Sequence, residues 1–395
     1  MKSSESTCPV CNSSDISIFF EINQVPIHCC ILWPTAAEAR SAPRGDIRLG
    51  FCRDCGHIFN IAFNPKYMQY NQEYENSLHF SACFRDYAQS LAQRLIDRYD
   101  LHGKDIIEIG CGQGDFLVLL CRLGGNRGLG FDPSYTPERH ANNSLEQVTF
   151  IQDFYSRQYA NYKADFVCCR HLLEHIQDPV NFLLNLEHTI RDQNGTMVFF
   201  EVPNVMFTLR DSGIWDLIYE HCSYFSSSSL ARAFTSAGFK VLSVTDAYEG
   251  QFLLIEALAG KSGAASESDP EPNLESLASY VAAFAERYQD ELERWRHKID
   301  EAEKAGKKVV VWGAGSKGVT FLNNLKVQNQ IDYIIDINPY KQGKYVPVTG
   351  QKVMAPEFLR EYCPDLVIVM NPIYLNEIQG TINHMNITTN VLAVN

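Results

Sequence analysis

At 395 residues, with 45% hydrophobic and 21% charged residues, the chain has the composition of a soluble globular protein of two or three domains. Its formal net charge of −13 argues against a nucleic-acid partner, because phosphate binding needs a basic surface. No apolar run approaches membrane-spanning length and Met1-Lys2-Ser3-Ser4-Glu5-Ser6-Thr7 has no apolar signal stretch, so no membrane partner and a cytoplasmic location are expected.

Thirteen cysteines without a secretion signal point to thiols or a metal, not to a disulfide framework. Four are organised as Cys8-Pro9-Val10-Cys11 and Cys52-Arg53-Asp54-Cys55-Gly56-His57. Two such knuckles offer four thiolates in a tetrahedron, which suits Zn2+ and leaves no position open for water. The site is therefore read as structural, holding together a lobe with little core of its own. The gap of about forty residues between the knuckles exceeds the usual ribbon spacing, which makes Cys29 and Cys30 the substitutes to weigh against the pairs.

Next in chain order comes a polar, aromatic stretch with Tyr67, Tyr70, Tyr74, His79 and Phe80. Tyr87, Leu91, Leu95 and Tyr99 then recur at helical spacing. Strands are expected at 105–109, 126–131, 165–169, 196–201, 240–247 and 251–257, alternating with amphipathic stretches. That alternation predicts a largely parallel sheet covered by helices on both faces. A Gly/Ser/Pro-rich linker covers 260–272, a long helical pattern runs from Leu274 to about Glu303, and a second α/β unit starts at Lys307.

Both α/β units open with a glycine turn between strand and helix. The first reads Glu108-Ile109-Gly110-Cys111-Gly112-Gln113-Gly114, with the acid inside the strand. A dinucleotide turn would place its third glycine one residue later, for helix packing near a pyrophosphate. The turn resembles motif I of class I S-adenosylmethionine (SAM)-dependent methyltransferases, whose ligand has no phosphate. By that resemblance Asp132 accepts from the ribose hydroxyls, Asp153 and Phe154 form the acid-plus-aromatic pair at adenine, and His171 lies at the methionine end. His171 and His175 are four apart, but with no third ligand in reach the H-x-x-E-H run reads as a strand–helix junction and not a metal pair.

Beyond the next strand, Asn204 and the run Ile218-Tyr219-Glu220-His221-Cys222-Ser223-Tyr224-Phe225 supply an acceptor side. A Tyr/Glu/His set offers a base near neutrality, a carboxylate to orient it and a phenol for an enolate oxygen. The alternative is a solvated loop leading to the helix at Ser229.

The order of knuckles, SAM turn, Glu-His-x-Ser-Tyr-Phe run and terminal glycine turn is similar to that of sugar C-methyltransferases, over essentially the whole chain. The resemblance implies a class I methyltransferase Rossmann-like α/β sheet with a small N-terminal zinc-binding lobe (1–65) and a methyltransferase domain (66–260). A linker and long helix (261–306) and a second, C-terminal Rossmann-like domain (307–395) complete it. It implies SAM as cofactor and a small-molecule substrate, a nucleotide-linked keto sugar, methylated on carbon by a monomer or homodimer. His221 is then the base with Glu220 beside it, and Tyr74 and Tyr224 line the sugar pocket together with Asn204. The family commonly reads tyrosine, histidine, glutamate, histidine where this chain has Ile218, Tyr219, Glu220 and His221. The phenol is thus expected from Tyr219 or Tyr74.

The second turn, Trp312-Gly313-Ala314-Gly315-Ser316-Lys317-Gly318, is a full G-x-G-x-x-G, and Asp336 ends the next strand. Taken alone it reads as an NAD site. Fewer than a hundred residues follow Lys307, little beyond one mononucleotide unit, with no hydride-transfer constellation. Gly315, Ser316, Lys317 and Asp336 are therefore expected to hold the nucleotide part of the substrate.

Overall fold

The structure is a computed structural model that describes residues 7–394 apart from 69–71, 138–145, 192, 194, 261–273 and 328. Tyr70 and the linker beyond Gly260 lie outside the described residues. Three sheets organise the rest.

The first sheet is antiparallel. It contains β1 (Ile16–Pro26), β2 (Arg44–Cys52) and β3 (Ile58–Asn60). Burial along β1 alternates only around Phe20–Asn23, because the register shifts between Ile18 and Phe20 and again between Ile22 and Val25.

The second sheet is built from β4 (Asp105–Ile109), β5 (Arg127–Phe131), β6 (Val148–Ile151), β7 (Phe166–Arg170) and β8 (Met197–Pro203), all parallel. The two-residue β9 (Ser223–Tyr224) leaves this unit and pairs with β3, at the edge of the first sheet. An antiparallel hairpin, β10 (Lys240–Ala247) and β11 (Phe252–Leu258), completes the order β10-β11-β8-β7-β4-β5-β6. The chain moves outward in opposite directions from β4, so the crevice beyond the carboxyl ends of β4 and β7 is the topological switch point. All five residues of β7 are buried, as a strand covered on both faces requires.

The third sheet is fully parallel, with order β14-β13-β12-β15-β16. Its strands are β12 (Val309–Trp312), β13 (Tyr333–Ile335), β14 (Lys352–Met354), β15 (Leu366–Val369) and β16 (Asn390–Ala393). This exceeds the single mononucleotide unit read from the sequence. Two short halves meet between β12 and β15, giving a second switch point immediately after the second glycine turn.

The helix Leu274–Lys304 connects the parts. Leu277, Val281, Phe284, Tyr288, Leu292, Trp295 and Ile299 form one buried stripe at three- and four-residue spacing. Phe20 of β1 meets Phe284 and Tyr288 at 5.0 and 4.6 Å between ring centres, while Trp295 meets Phe321 of the helix Ser316–Leu325 at 5.6 Å. A second clasp is polar. Glu377, in the helix Leu375–His384, accepts from the Ser81 hydroxyl (2.6 Å) and the Ala82 and Cys83 N–H groups (both 3.1 Å), capping the helix Ala82–Tyr99. Among the described residues no helix is long and apolar enough to cross a membrane.

Candidate active site between two switch points

The first glycine turn is held by the acid that ends the neighbouring strand. Gly112 N–H donates to Asp132 Oδ2 (2.8 Å), and the Ser134 N–H and hydroxyl donate to Asp132 Oδ1 (2.8 and 2.6 Å). Gly114 has φ +83°, and a Cβ there would meet the Phe150 ring at 2.2 Å, so the position admits glycine alone. Beneath the turn, Glu108 is 2% exposed and its Oε2 has no partner. Burial pushes its carboxyl up to about 8; Arg170 opposes this, and Asp115 and Asp132 reinforce it. Further round, the Tyr159 hydroxyl (2.6 Å) and Gln158 (2.9 Å) donate to Asp153, and the bond from Tyr159 leads the causes that lower its pKa. Phe154 projects 60% exposed, an open aromatic face.

After β7 the chain turns sharply at His171, whose φ of +53° costs a non-glycine residue on the order of 1–3 kcal/mol. The turn sets His171 Nε2 2.6 Å from Glu201 Oε1. Glu201 also accepts from Arg170 (2.9 Å) and the Tyr87 hydroxyl (2.7 Å). Burial alone would raise the Glu201 pKa, but Arg170, His171 and Tyr87 together bring it down to about 2.

Between the two switch points lies a cavity of about 280 Å³. One wall carries Tyr74, Ser77, His171, Glu174, His175, Ile218 and His221; the other carries Gly313, Gly315, Ser316, Lys317, Asp336, Asn338 and Lys341. Ser77 donates to Asp115 (3.3 Å), the first residue of the helix after Gly114, which links the cavity to the first turn. His221 and His175 face each other with ring centres 4.9 Å apart. Burial, followed by the neighbouring His175 and His171, holds the His221 pKa well below its ordinary 6.5, so the ring is neutral at physiological pH.

The sequence-predicted residues divide accordingly. Tyr74, His171, His221, Gly315, Ser316, Lys317 and Asp336 line the cavity. Gly110, Gly112 and Gly114 form the first turn, with Glu108 in the strand before it and Asp132 bonded to it, while Asp153 and Phe154 follow β6 at the edge of the same sheet. Tyr219, Glu220, Asn204 and Tyr224 do not line the cavity, for local reasons. The Tyr219 hydroxyl accepts from Asn64 N–H (2.9 Å), and its ring packs on Gly45 and Phe63 in the first sheet's core. Glu220 is fully buried behind the loop: Oε2 accepts from Cys29 N–H (3.1 Å) and Oε1 lies 3.3 Å from His28 Nδ1. Asn204 caps the short helix Val205–Leu209 and donates to Gly250 O (3.1 Å), while the Tyr224 hydroxyl donates to Ile218 O (3.1 Å).

Lys317 is also more constrained than its turn suggests. It donates to Gln251 Oε1 (2.7 Å) and lies 3.3 Å from Asp216 Oδ2. Asp336 accepts from Ala314 N–H (2.7 Å) and Asn338 N–H (2.8 Å), the same service that Asp132 gives the first turn. Sequence reading missed Gln251, Asn338 and Lys341. Gln251 carries no motif, Asn338 and Lys341 follow Asp336 in the chain, and only the facing of the two sheets brings all three to one cavity.

The N-terminal thiols converge as the knuckle pairs require. Cys8 Sγ lies 3.6 Å from Cys55 Sγ, Cys11 Sγ lies 3.5 Å from Cys52 Sγ, and all four sulfurs fall within 4.8 Å of one another. A tetrahedral zinc with Zn–S of about 2.3 Å sets its sulfurs about 3.8 Å apart, so the residues fit the ion. Cys29 and Cys30 are elsewhere, the first against Glu220 and the second in the cavity wall.

Two family models match the chain: one described as a methyltransferase domain over residues 83–244, the other as a C-methyltransferase C-terminal domain over 263–391. C-methyltransferase NovU from Streptomyces niveus is 27% identical over 304 residues, covering 73% of this chain and 72% of that protein. A ubiquinone biosynthesis O-methyltransferase from Escherichia coli O127:H6 is 30% identical over 109 residues, 26% of this chain and 45% of its own length. A solved SAM-dependent methyltransferase from Aquifex aeolicus is 16% identical with a TM-score of 0.35, covering 42% of this chain and 88% of that one. The cofactor-type turn, the cavity closed by a second sheet and the two family models agree: the chain is a SAM-dependent methyltransferase in which a methyltransferase domain is followed by a C-methyltransferase C-terminal domain.

Proposed function

We propose that the protein methylates the carbon alpha to the ketone of a nucleotide-linked sugar. The observation that carries this reading is the single cavity closed by both switch points, with a histidine wall on one side and a glycine turn on the other. Gly315, Ser316, Lys317 and Asp336 take the nucleotide end, with Lys341 Nζ, 3.8 Å from Asp336, as the additional cation. Glu108, Gly110, Gly112, Gly114, Asp132, Asp153, Phe154 and His171 hold SAM, which when bound supplies an electrophilic methyl group. Neutral His221 removes the proton alpha to the ketone. Tyr74, the tyrosine on the histidine wall, donates to the oxygen that gains charge, and the enclosed wall keeps water from competing. Glu220 acts from behind the loop: its carbonyl accepts from His175 Nδ1 (3.0 Å) and its carboxylate is anchored on His28 and Cys29.

Incubating the enzyme with a nucleotide-linked keto sugar in D2O without SAM is expected to place deuterium at the alpha carbon, and adding SAM to place a methyl there. A methyl found on oxygen by NMR sinks the C-methylation reading, and absence of exchange sinks enolate formation.

Glu108 gives an independent check on the cofactor side. Its raised pKa leaves the carboxyl mainly protonated at pH 7 in the free protein. A cationic ligand group beside it favours the ionised form, so binding expels the proton. Calorimetric titration of SAM in two buffers of different ionisation enthalpy is expected to report release of up to about one proton. Zero release means that no cation reaches Glu108.

A further inference from the structure

The sequence pairs His171 with His175 and offers them no third metal ligand; folding assembles a different set. Glu174, His175 and His221 each bring one ligand atom within 4.8 Å of the other two. His221 comes from the loop after β8, nearly fifty residues beyond the H-x-x-E-H run.

Three further observations mark the cluster as a place for a cation. Glu174 is 2% exposed, and its Oε2 has no hydrogen-bond partner. A buried carboxylate oxygen in that position costs stability unless a cation or donor meets it. His175 donates from Nδ1 to the Glu220 carbonyl (3.0 Å), which fixes the tautomer and leaves the lone pair on Nε2. A backbone carbonyl behind a histidine is the usual support of a metal-bound imidazole. All three side chains also line the cavity, so an ion there would keep coordination positions open to solvent or ligand.

Two imidazoles and one carboxylate suit zinc-class transition ions and not magnesium or calcium, which prefer oxygen alone. At metal–ligand lengths of about 2.1 Å the donors stand about 3.4 Å apart, so closure needs side-chain shifts of at most about 1.4 Å.

We propose that Glu174, His175 and His221 bind a divalent zinc-class ion at the cavity wall, and that this ion switches the enzyme off by occupying the lone pair of His221. The binding site stands on the geometry above. The switching half rests on the reading of His221 as the base. The same nitrogen cannot hold a metal and accept a proton, so metal-bound and active states exclude each other.

The test uses the full chain with its cysteine site already loaded with zinc. Cobalt(II) chloride is titrated while the visible d–d bands and methyl transfer are followed in parallel. A second equivalent without the near-ultraviolet thiolate band is expected, and turnover falls to zero as it saturates. Zinc chloride gives the same inhibition, reversed by a weak chelator such as citrate. In Glu174→Gln the metal concentration for half-inhibition rises at least tenfold. Should that variant not fold, His221→Asn, checked by its SAM affinity, is expected to lose the second equivalent. No second equivalent, or one indifferent to these substitutions, overturns the site. A second equivalent that responds to them while turnover continues sinks His221 as the base and leaves the metal site standing.

Discussion

Replacing His221 with asparagine is expected to lower kcat for methyl transfer by about a hundred- to ten-thousand-fold, the contribution of a positioned general base. SAM affinity should change by less than about twofold, because the cofactor turn and its acids keep their own bonds without His221. The pH profile of the wild type provides the complementary sign. The base acts in its neutral form, and burial holds the His221 pKa well below 6.5. Its acid limb should therefore fall below pH 6.5, with activity flat from there through neutrality. Wild-type-like turnover in His221→Asn, or an acid limb above pH 6.5 that vanishes with the substitution, contradicts this assignment. Alpha-deuterium exchange without SAM separates the steps: it should be lost in the variant along with methylation.

The second large effect is expected from the N-terminal thiols. Cys52→Ser removes one of four ligands whose sulfurs converge within 4.8 Å. Structural zinc sites contribute folding free energy directly, so the lobe should lose its fold and the bound zinc together. A loss of several kcal/mol corresponds to a fall in melting temperature of roughly 10 °C or more. The consequence for catalysis is more specific. The strand that follows the second knuckle pairs with the loop carrying His221: Ile58 with Tyr224 and Phe59 with Ser223, while Asn60 N–H donates to Cys222 O (3.0 Å). His28 and Cys29 of the same lobe anchor Glu220. Losing the metal should release the loop that carries His221, lowering kcat by at least tenfold while SAM binding survives. Metal analysis, thermal melting and SAM calorimetry on one preparation check all three parts. A variant that retains zinc, or loses it without loss of turnover, sinks the coupling.

Much of the central sheet was legible because it is periodic. Predicted strands 105–109 and 240–247 coincide with β4 and β10, and the helix from Leu274 ends within a residue of the expected place. Four other strands differ by a residue or two at their ends, where local signals are weakest. β6, Val148–Ile151, was missed: three half-buried residues and an exposed Thr149 at a sheet edge carry too little pattern. The first sheet was missed as well, because its antiparallel strands gain their order from partners farther along the chain, β3 pairing with β9.

At the site, the sequence alone determined what depends on local backbone geometry and on neighbouring residues. It gave the cofactor-type turn with Glu108 beneath it, the four thiols, the candidate base His221 and the second glycine turn. Which side chains share a cavity depends on contacts between residues a hundred or more apart, and only the tertiary structure decided it. Tyr219 and Glu220 precede His221 in the chain but point into the first lobe, because they are the central residues of a turn closed by His221 N–H donating to Ile218 O (3.2 Å). Glu174 and His175, read as a plain strand–helix junction, acquire their third neighbour only when the loop folds back onto β7. The two glycine turns were visible as motifs; that they face each other across one cavity follows from the packing of two sheets and a shared helix, which no local pattern records.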